Sequence, residues 1–273
     1  MSSAQPRLGL EAATAQVRSL ASRQVDRLVD QAPPRASWRY DATRISLAWA
    51  ARLFSNLIVE GSERLPPGPS VLCFSHQNWA DPFYVFGAMP RRPRLAFFGP
   101  EQEDMRHGAR NRLMRWGGVI VPYRPGNRGL VAAMARVHEL FGAGISVAIA
   151  GEGRIHSGEG VVLPLREGAA YMALREAVPL VPVAINGTSW LGFRRTVRVR
   201  VGLPLETRPR TTGRPTSDEV AVLTRRAHIA LQQLVSDFPD QPKPGPVGRR
   251  LTDLFNTWPE GSRPGVPPRT EAK

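Results

Sequence analysis

The 273-residue sequence is short of several features that would assign a protein to a class at once. Its single cysteine, Cys73, excludes an internal disulfide framework and favours a reducing compartment. No run of 18 or more apolar residues occurs, so we expect no transmembrane helix. The N-terminus lacks a charged start followed by an apolar core and a small-residue cleavage site, so we expect no signal peptide. Together these absences favour a cytoplasmic protein.

Acidic residues are also scarce relative to basic ones. The chain has 23 Asp and Glu residues against 37 Lys and Arg residues, which gives a formal net charge of +14. This balance favours an anionic partner, namely nucleic acid, the phosphates of a cofactor or an acidic membrane surface. The arginines recur along the whole chain and form no single block with interleaved aromatic residues. This distribution weakens the case for nucleic acid without excluding it, and we expect a partner other than nucleic acid.

The pattern of apolar residues divides the chain into three parts. Residues 1–58 carry two amphipathic helices, at 8–29 and from about 40 to 58, which suit either a membrane interface or packing on the domain core. Residues 59–237 alternate short apolar runs with helical patterns and form the expected catalytic domain. Residues 238–273 are rich in Pro, Gly and Arg and predict a mostly flexible tail, in which only 249–258 is a candidate for order.

Strands and helices alternate through the middle part of the chain. The predicted strands cover 71–74, 95–98, 119–121, 145–150, 180–186 and 197–203, the last of them half-exposed near a sheet edge. The predicted helices cover 81–89, 106–116, 129–141, 168–176 and 217–235, the last with Ser217 as its N-cap. This alternation predicts an α/β fold with a mixed, mostly parallel central sheet flanked by helices and preceded by an N-terminal amphipathic helical segment.

Three polar residues each follow a different predicted strand. His76 comes after the first strand, Arg124 after the third and Glu152 after the fourth. The carboxyl ends of parallel strands meet along one rim, where ligands bind in such sheets. The sequence therefore predicts that these side chains face one cleft.

The segment from Ser75 to Phe83 carries the clearest candidate for chemistry. His76 and Asp81 lie in the pattern H-x4-D, in which a carboxylate could orient an imidazole that takes a proton from a hydroxyl. The pattern by itself is equally consistent with a polar loop whose Asp-Pro pair begins a turn or helix.

Four segments, in the same order, resemble the glycerophospholipid acyltransferase family, the lysophosphatidic acid acyltransferases and their relatives. They lie within roughly 59–205 and resemble the family's H-x4-D block, its glycine–apolar–arginine block, its E-G-T-R block with a downstream helix start, and its V-P-x-x-P-V block. The segments are 75–82, 114–124, 151–170 and 178–185.

The resemblance implies transfer of a fatty acyl group from coenzyme A or acyl carrier protein to a hydroxyl of a lysophospholipid such as 1-acylglycerol-3-phosphate. It implies no cofactor and no metal. His76 would be the general base and Asp81 its orienting partner. Arg124 would bind the phosphate of the acceptor, and Glu152, Gly153 and Arg154 would complete the acceptor site. No G-x-S-x-G element is present, so we expect direct attack without an acyl-enzyme.

The third segment departs from the family pattern and leaves the acceptor open. Gly151 stands where the family has proline. Either Arg154-Ile155 stand where the family has threonine and arginine, or one residue is missing and Arg154 replaces the family's arginine. A lyso-lipid other than a phosphatidate precursor is therefore an alternative acceptor. Two further alternatives are a catalytically weak or inactive lipid- or nucleic-acid-binding protein on the same scaffold, and a thioesterase in which His76 activates water.

Two local patterns are interpreted as unrelated to the site. The segment 259–263 matches E-G-x-R but follows no apolar strand, so it is attributed to chance. His156, four residues after Glu152, is expected to be a solvated loop histidine, not a metal ligand.

With its basic charge and N-terminal helices, the protein is expected on the inner face of the cell membrane as a peripheral protein, in contact with anionic lipid.

Overall fold

A computed structural model describes residues 38–100, 116–118, 120–123, 127–207, 214–239 and 241–256. These segments form one sheet with helices on both faces. The strands are β1 Asn56–Glu60, β2 Val71–Phe74, β3 Arg94–Pro100, β4 Ile120–Tyr123, β5 Ile145–Ala150, β6 Leu180–Asn186 and β7 Thr196–Val201. The helices are α1 Trp38–Phe54, α2 Asp81–Ala88, α3 Asn127–Gly142, α4 Gly168–Glu176, α5 Ser217–Val235 and α6 Pro246–Phe255, with a short 3-10 turn at Ser62–Arg64.

The sheet confirms the predicted mixed, mostly parallel arrangement. Its seven described strands follow the order β1-β7-β6-β2-β5-β3-β4, and only the β6–β7 pair is antiparallel. The central strand β2 pairs with β5 on one side and β6 on the other. The carboxyl ends of these three parallel strands therefore lie side by side, and this places the segment after β2 next to the segment after β5.

Two apolar clusters cover the two faces of the sheet. Helices α3, α4 and α5 pack on one face, while α1 and α2 pack on the other. Both faces are covered, which explains why β2 and β6 are buried along their whole length and have uninterrupted apolar sequences. Tyr40 attaches α1 to this layer, because its hydroxyl accepts the Leu95 N–H at 2.7 Å.

Strand β1 is the main departure from the prediction. The predicted second helix continues to Ile58, but α1 ends at Phe54 and Asn56–Glu60 form the edge strand β1. Residues 56–60 pair in parallel with 196–200 of β7, so tertiary pairing overrides the helical spacing seen in the sequence. Consequently β7, predicted near the edge, lies one strand inside it.

Helix termini differ from the sequence prediction in two places. Thr216, not Ser217, is the N-cap of α5, and it forms a capping box with Glu219. In the C-terminal tail the only candidate for order in the sequence is 249–258, whereas α6 begins at Pro246 and buries Thr252 against the domain. The predicted helices at 8–29 and across most of 106–116 lie outside the described residues, as does the segment 259–263.

Across the part of the chain that the structure describes, every helix is too short or too polar to cross a bilayer.

Candidate active site

The loop between β2 and α2 brings His76 and Asp81 together. His76 Nδ1 lies 3.0 Å from Asp81 Oδ2, and both side chains are buried. An ionised carboxylate can only accept, so the proton of the neutral imidazole lies on Nδ1 and Nε2 is left as the basic nitrogen. The ring also packs edge-on against Phe74 and Trp79, with centroids 5.8 Å apart in each case. The pair thus has the geometry of a base with its orienting carboxylate.

Asp81 is held from four directions. Besides the imidazole, Oδ2 accepts the N–H groups of Gln77 at 2.6 Å and Asn78 at 2.8 Å, and Oδ1 accepts the Thr188 hydroxyl at 2.5 Å. Asp81 is 0% exposed, so these donors replace the water that a carboxylate would otherwise require. The loop geometry of His76 is therefore fixed by the same carboxylate that orients its ring.

Glu152 follows the end of β5 and bonds to the backbone of the same loop. Its Oε1 accepts the backbone N–H of His76 at 3.1 Å, and its Oε2 accepts the N–H of Leu163 at 3.2 Å. The predicted convergence of His76 and Glu152 is thus present. The carboxylate is buried and acts on the site through the His76 backbone, while direct contact with an acceptor stays a prediction.

His156 is not the solvated histidine that the sequence predicted. It is 1% exposed, and its Nε2 lies 2.7 Å from Glu152 Oε2 in a close electrostatic contact outside hydrogen-bond alignment. Its Nδ1 accepts the Gly158 N–H at 3.2 Å, which places the ring proton on Nε2, facing the carboxylate. The correction follows from the loop after β5 folding back over Glu152, which sequence spacing does not reveal. Among the described side chains, no group of three His, Cys, Asp or Glu is placed to hold a metal ion.

Gly151 explains one departure from the family pattern. A Cβ at this position would lie 2.6 Å from Cys73 Sγ and 3.0 Å from Leu165 Cδ2. Cys73 is itself buried in β2, and burial raises the pKa of its thiol to about 12. A glycine therefore fits the space above this sulfur, where a larger residue would clash.

Of the other predicted site residues, the structure describes Gly153 and Arg154 but not Arg124. Gly153 has φ of 65°, a conformation that favours glycine, and an added Cβ would lie 3.0 Å from Arg166 Cγ. The Arg154 side chain is exposed on the same turn. Arg124 lies outside the described residues, so its predicted contact with a phosphate stays a prediction.

A third buried carboxylate, Glu159, was missed in the sequence. Its oxygens accept the N–H groups of Gly187 at 2.7 Å and Ser189 at 3.3 Å, and its carbonyl accepts the Asn186 side-chain amide at 2.6 Å. Burial raises the pKa of the Glu159 carboxyl. The residue ties the loop after β5 to the end of β6. The only available signal was its place between two glycines, Gly158 and Gly160, which by itself indicates only a turn.

A residue near the C-terminal end of the described chain also touches the catalytic loop. Asn256 Oδ1, at the end of α6, accepts the N–H of Trp79 at 3.1 Å. The two residues are 177 positions apart in the sequence, and the surrounding tail composition predicts flexibility. No local pattern in the sequence indicates this contact.

An apolar cavity of about 410 Å³ opens beside the loop. Helices α1, α2 and α6 surround it, and its walls include Leu47, Phe54, Phe83, Tyr84, Leu251 and Phe255. Ala80, the residue before Asp81, also lines it. Its size is that of typical small-molecule sites, and its walls are almost wholly apolar.

Comparison with known proteins agrees with this geometry. Residues 56–186, which include His76, Asp81 and Glu152, match the family model described as acyltransferase. This segment of the chain is therefore similar to the acyltransferase family. The resemblance to the glycerophospholipid acyltransferases that four sequence segments indicated is thereby confirmed.

A solved structure has a similar fold. The crystal structure of the 1-acyl-sn-glycerophosphate (LPA) acyltransferase PlsC from Thermotoga maritima is similar with a TM-score of 0.53 and 20% sequence identity. The similarity covers 74% of this chain and 79% of that one. The likeness shows a shared α/β acyltransferase fold.

The contact between Gly151 and Cys73 can be tested by stability. We expect Gly151→Ala to lower the free energy of unfolding by about 1–3 kcal/mol, because the new methyl group overlaps a buried sulfur. The Cys73→Ala background should reduce this loss, since it removes the clashing atom. Urea denaturation midpoints measure both effects.

Gly160→Ala is the matched control for this test, because nothing lies within 4 Å of a Cβ at that position in the same loop. Equal losses for Gly151→Ala and Gly160→Ala would contradict the close packing over Cys73.

Proposed function

We propose that this acyltransferase moves a fatty acyl group from a thioester of coenzyme A or acyl carrier protein to the hydroxyl of a lysophospholipid, with 1-acylglycerol-3-phosphate as the first candidate. The observation that carries the proposal is the buried His76–Asp81 pair, with Nδ1 and Oδ2 3.0 Å apart at the rim of the sheet. A single oriented base with no serine elbow suits direct acyl transfer.

The chemistry needs one base that later becomes an acid. His76 Nε2 takes the proton of the acceptor hydroxyl as its oxygen attacks the thioester carbonyl carbon. The carbon–sulfur bond then breaks, and the leaving thiolate takes the proton back from the imidazolium. Asp81 stabilises the transient imidazolium and keeps Nε2 directed at the substrate. Glu152 holds the His76 backbone in place through both steps.

The apolar cavity suits the fatty acyl chain. It lies against Ala80 and Tyr84, on the polypeptide that begins α2 next to Asp81. Each methylene group that moves from water into such a cavity contributes about 0.8 kcal/mol, so an acyl chain supplies substantial binding energy there. We propose that Arg124 and Arg154 bind the acceptor's phosphate.

Exposed aromatic and aliphatic residues beside the cavity suit a membrane surface. Trp49 and Leu53 of α1 are 72% and 73% exposed, although α1 also packs on the core through Tyr40 and Ala51. Phe193 is exposed near α1, and its ring centroid lies 6.4 Å from that of Phe54. Exposed arginines accompany them on α1, on α6 and after Phe193: Arg52, Arg194, Arg249 and Arg250. Such a surface suits peripheral binding to anionic lipid at the inner face of the cell membrane.

Loss of the base tests the catalytic part of the proposal. We expect His76→Ala to reduce transfer of a radiolabelled acyl chain by about 10²- to 10⁴-fold, because a positioned general base contributes this much. The assay uses acyl-coenzyme A with lysophosphatidic acid first, followed by neutral and zwitterionic lyso-lipids.

His138→Ala is the control, since His138 is an exposed histidine of α3 that pairs with Glu176 away from the site. Full activity of His76→Ala would refute the mechanism. Free fatty acid as the main wild-type product, with or without acceptor, would assign the protein to thioester hydrolysis.

Membrane docking can be tested by vesicle co-sedimentation. We expect Trp49→Asp combined with Leu53→Asp to lower binding to phosphatidylglycerol vesicles at least about tenfold, because both large apolar side chains would otherwise enter the interface. Val222→Asp combined with Ile229→Asp is the matched control, because these exposed residues lie on α5 at the opposite face of the sheet. Equal binding of the two double variants would contradict the assigned surface.

A further inference from the structure

Helix α6 lies outside the segment that matches the family model, yet it bonds to the catalytic domain at two points. Asn256 Oδ1 accepts the Trp79 N–H at 3.1 Å, within the loop that carries His76 and Asp81. Thr252 Oγ1 accepts the Leu191 N–H at 2.8 Å. Both side chains are buried, so these are interior contacts of the domain.

Apolar contacts place the same helix against α2. The Phe255 ring meets the Phe83 ring edge-on with centroids 6.3 Å apart, and Phe83 lies two residues after Asp81. Gly248 permits the close approach, because an added Cβ would lie 2.8 Å from the Leu191 carbonyl oxygen. Leu251 and Phe255 then form the α6 wall of the cavity.

These contacts have different physical consequences. Without Asn256, the Trp79 N–H would lose its acceptor, and the catalytic loop would lose a restraint at Trp79. Without Leu251 and Phe255, the cavity would lose one wall and take longer occupants. A helix of ten residues is too short to be stable alone, so its order depends on this docking.

We propose that α6 contributes functional residues to the acyltransferase site. Leu251 and Phe255 set the length of acyl chain that the cavity accepts, and Asn256 is a positioning residue for the His76–Asp81 loop. The proposal rests on the proposed function in one respect, namely that the cavity takes the acyl chain.

Chain-length profiles test whether Leu251 and Phe255 set the length of the acyl chain that the cavity accepts. The full-length protein is assayed with acyl-coenzyme A donors from octanoyl to stearoyl, and the dissociation constant of each donor is measured separately by calorimetry. We expect Leu251→Phe to weaken the longest accepted donors by about fourfold per excluded methylene group, and Phe255→Ala to shift the preference to longer chains. Leu254→Phe is the matched control on the same helix, because Leu254 is 64% exposed and does not line the cavity.

The two readouts separate failure of this proposal from failure of the proposed function. If the wild type transfers acyl groups but Leu251→Phe and Phe255→Ala keep its profile in both rate and binding, the wall is refuted and the function stands. If the wild type transfers no acyl group but the variants still shift the chain length that binds, the proposed function is refuted. The role of Leu251 and Phe255 in setting chain length is then supported.

A second pair of variants tests the positioning role. We expect Asn256→Ala to lower kcat about five- to tenfold with the donor KM unchanged, because one hydrogen bond to the catalytic loop is lost. Asn256→Asp should restore most of kcat, since it keeps an oxygen acceptor, and the Asn256 Nδ2 that it removes has no partner. Wild-type kcat in Asn256→Ala, or no rescue by Asn256→Asp at matched thermal stability, would refute this role.

Discussion

The site depends on a carboxylate that is removed from water. Asp81 is 0% exposed, and leaving such a group without donors would cost several kcal/mol. The His76 ring, the N–H groups of Gln77 and Asn78, and the Thr188 hydroxyl supply the donors that it needs. The loop after β2 must therefore wrap around this one group, and the end of β6 must lie close enough to complete its shell.

Two more buried carboxylates extend the same principle to the surrounding loops. Glu152 accepts the backbone N–H groups of His76 and Leu163, and Glu159 accepts those of Gly187 and Ser189. Each carboxylate joins segments that follow different strands, so the rim of the sheet is bonded into one unit. Such a rim keeps the base in a fixed position, which is what proton transfer at a defined atom requires.

The parts of this account that sequence could predict are those set by local periodicity and strand direction. His76 and Glu152 converge because each directly follows a strand of one parallel sheet. The burial of His156 could not be predicted, since it depends on how a loop folds back over Glu152. The contact of Asn256 with Trp79 was equally hidden, because the surrounding tail has the composition of a flexible segment. Edge strand β1 was missed because its pairing partner lies far along the chain.

The most direct test of the account is the protonation state of the His76 ring. A two-bond ¹H–¹⁵N correlation spectrum of protein labelled at histidine, assigned by comparison with His76→Ala, reports which ring nitrogen carries the proton. At a pH where the ring is neutral, the account predicts a proton on Nδ1, donated to Asp81, and a bare Nε2. A proton on Nε2 would contradict it, because that imidazole could not accept the proton of an acceptor hydroxyl.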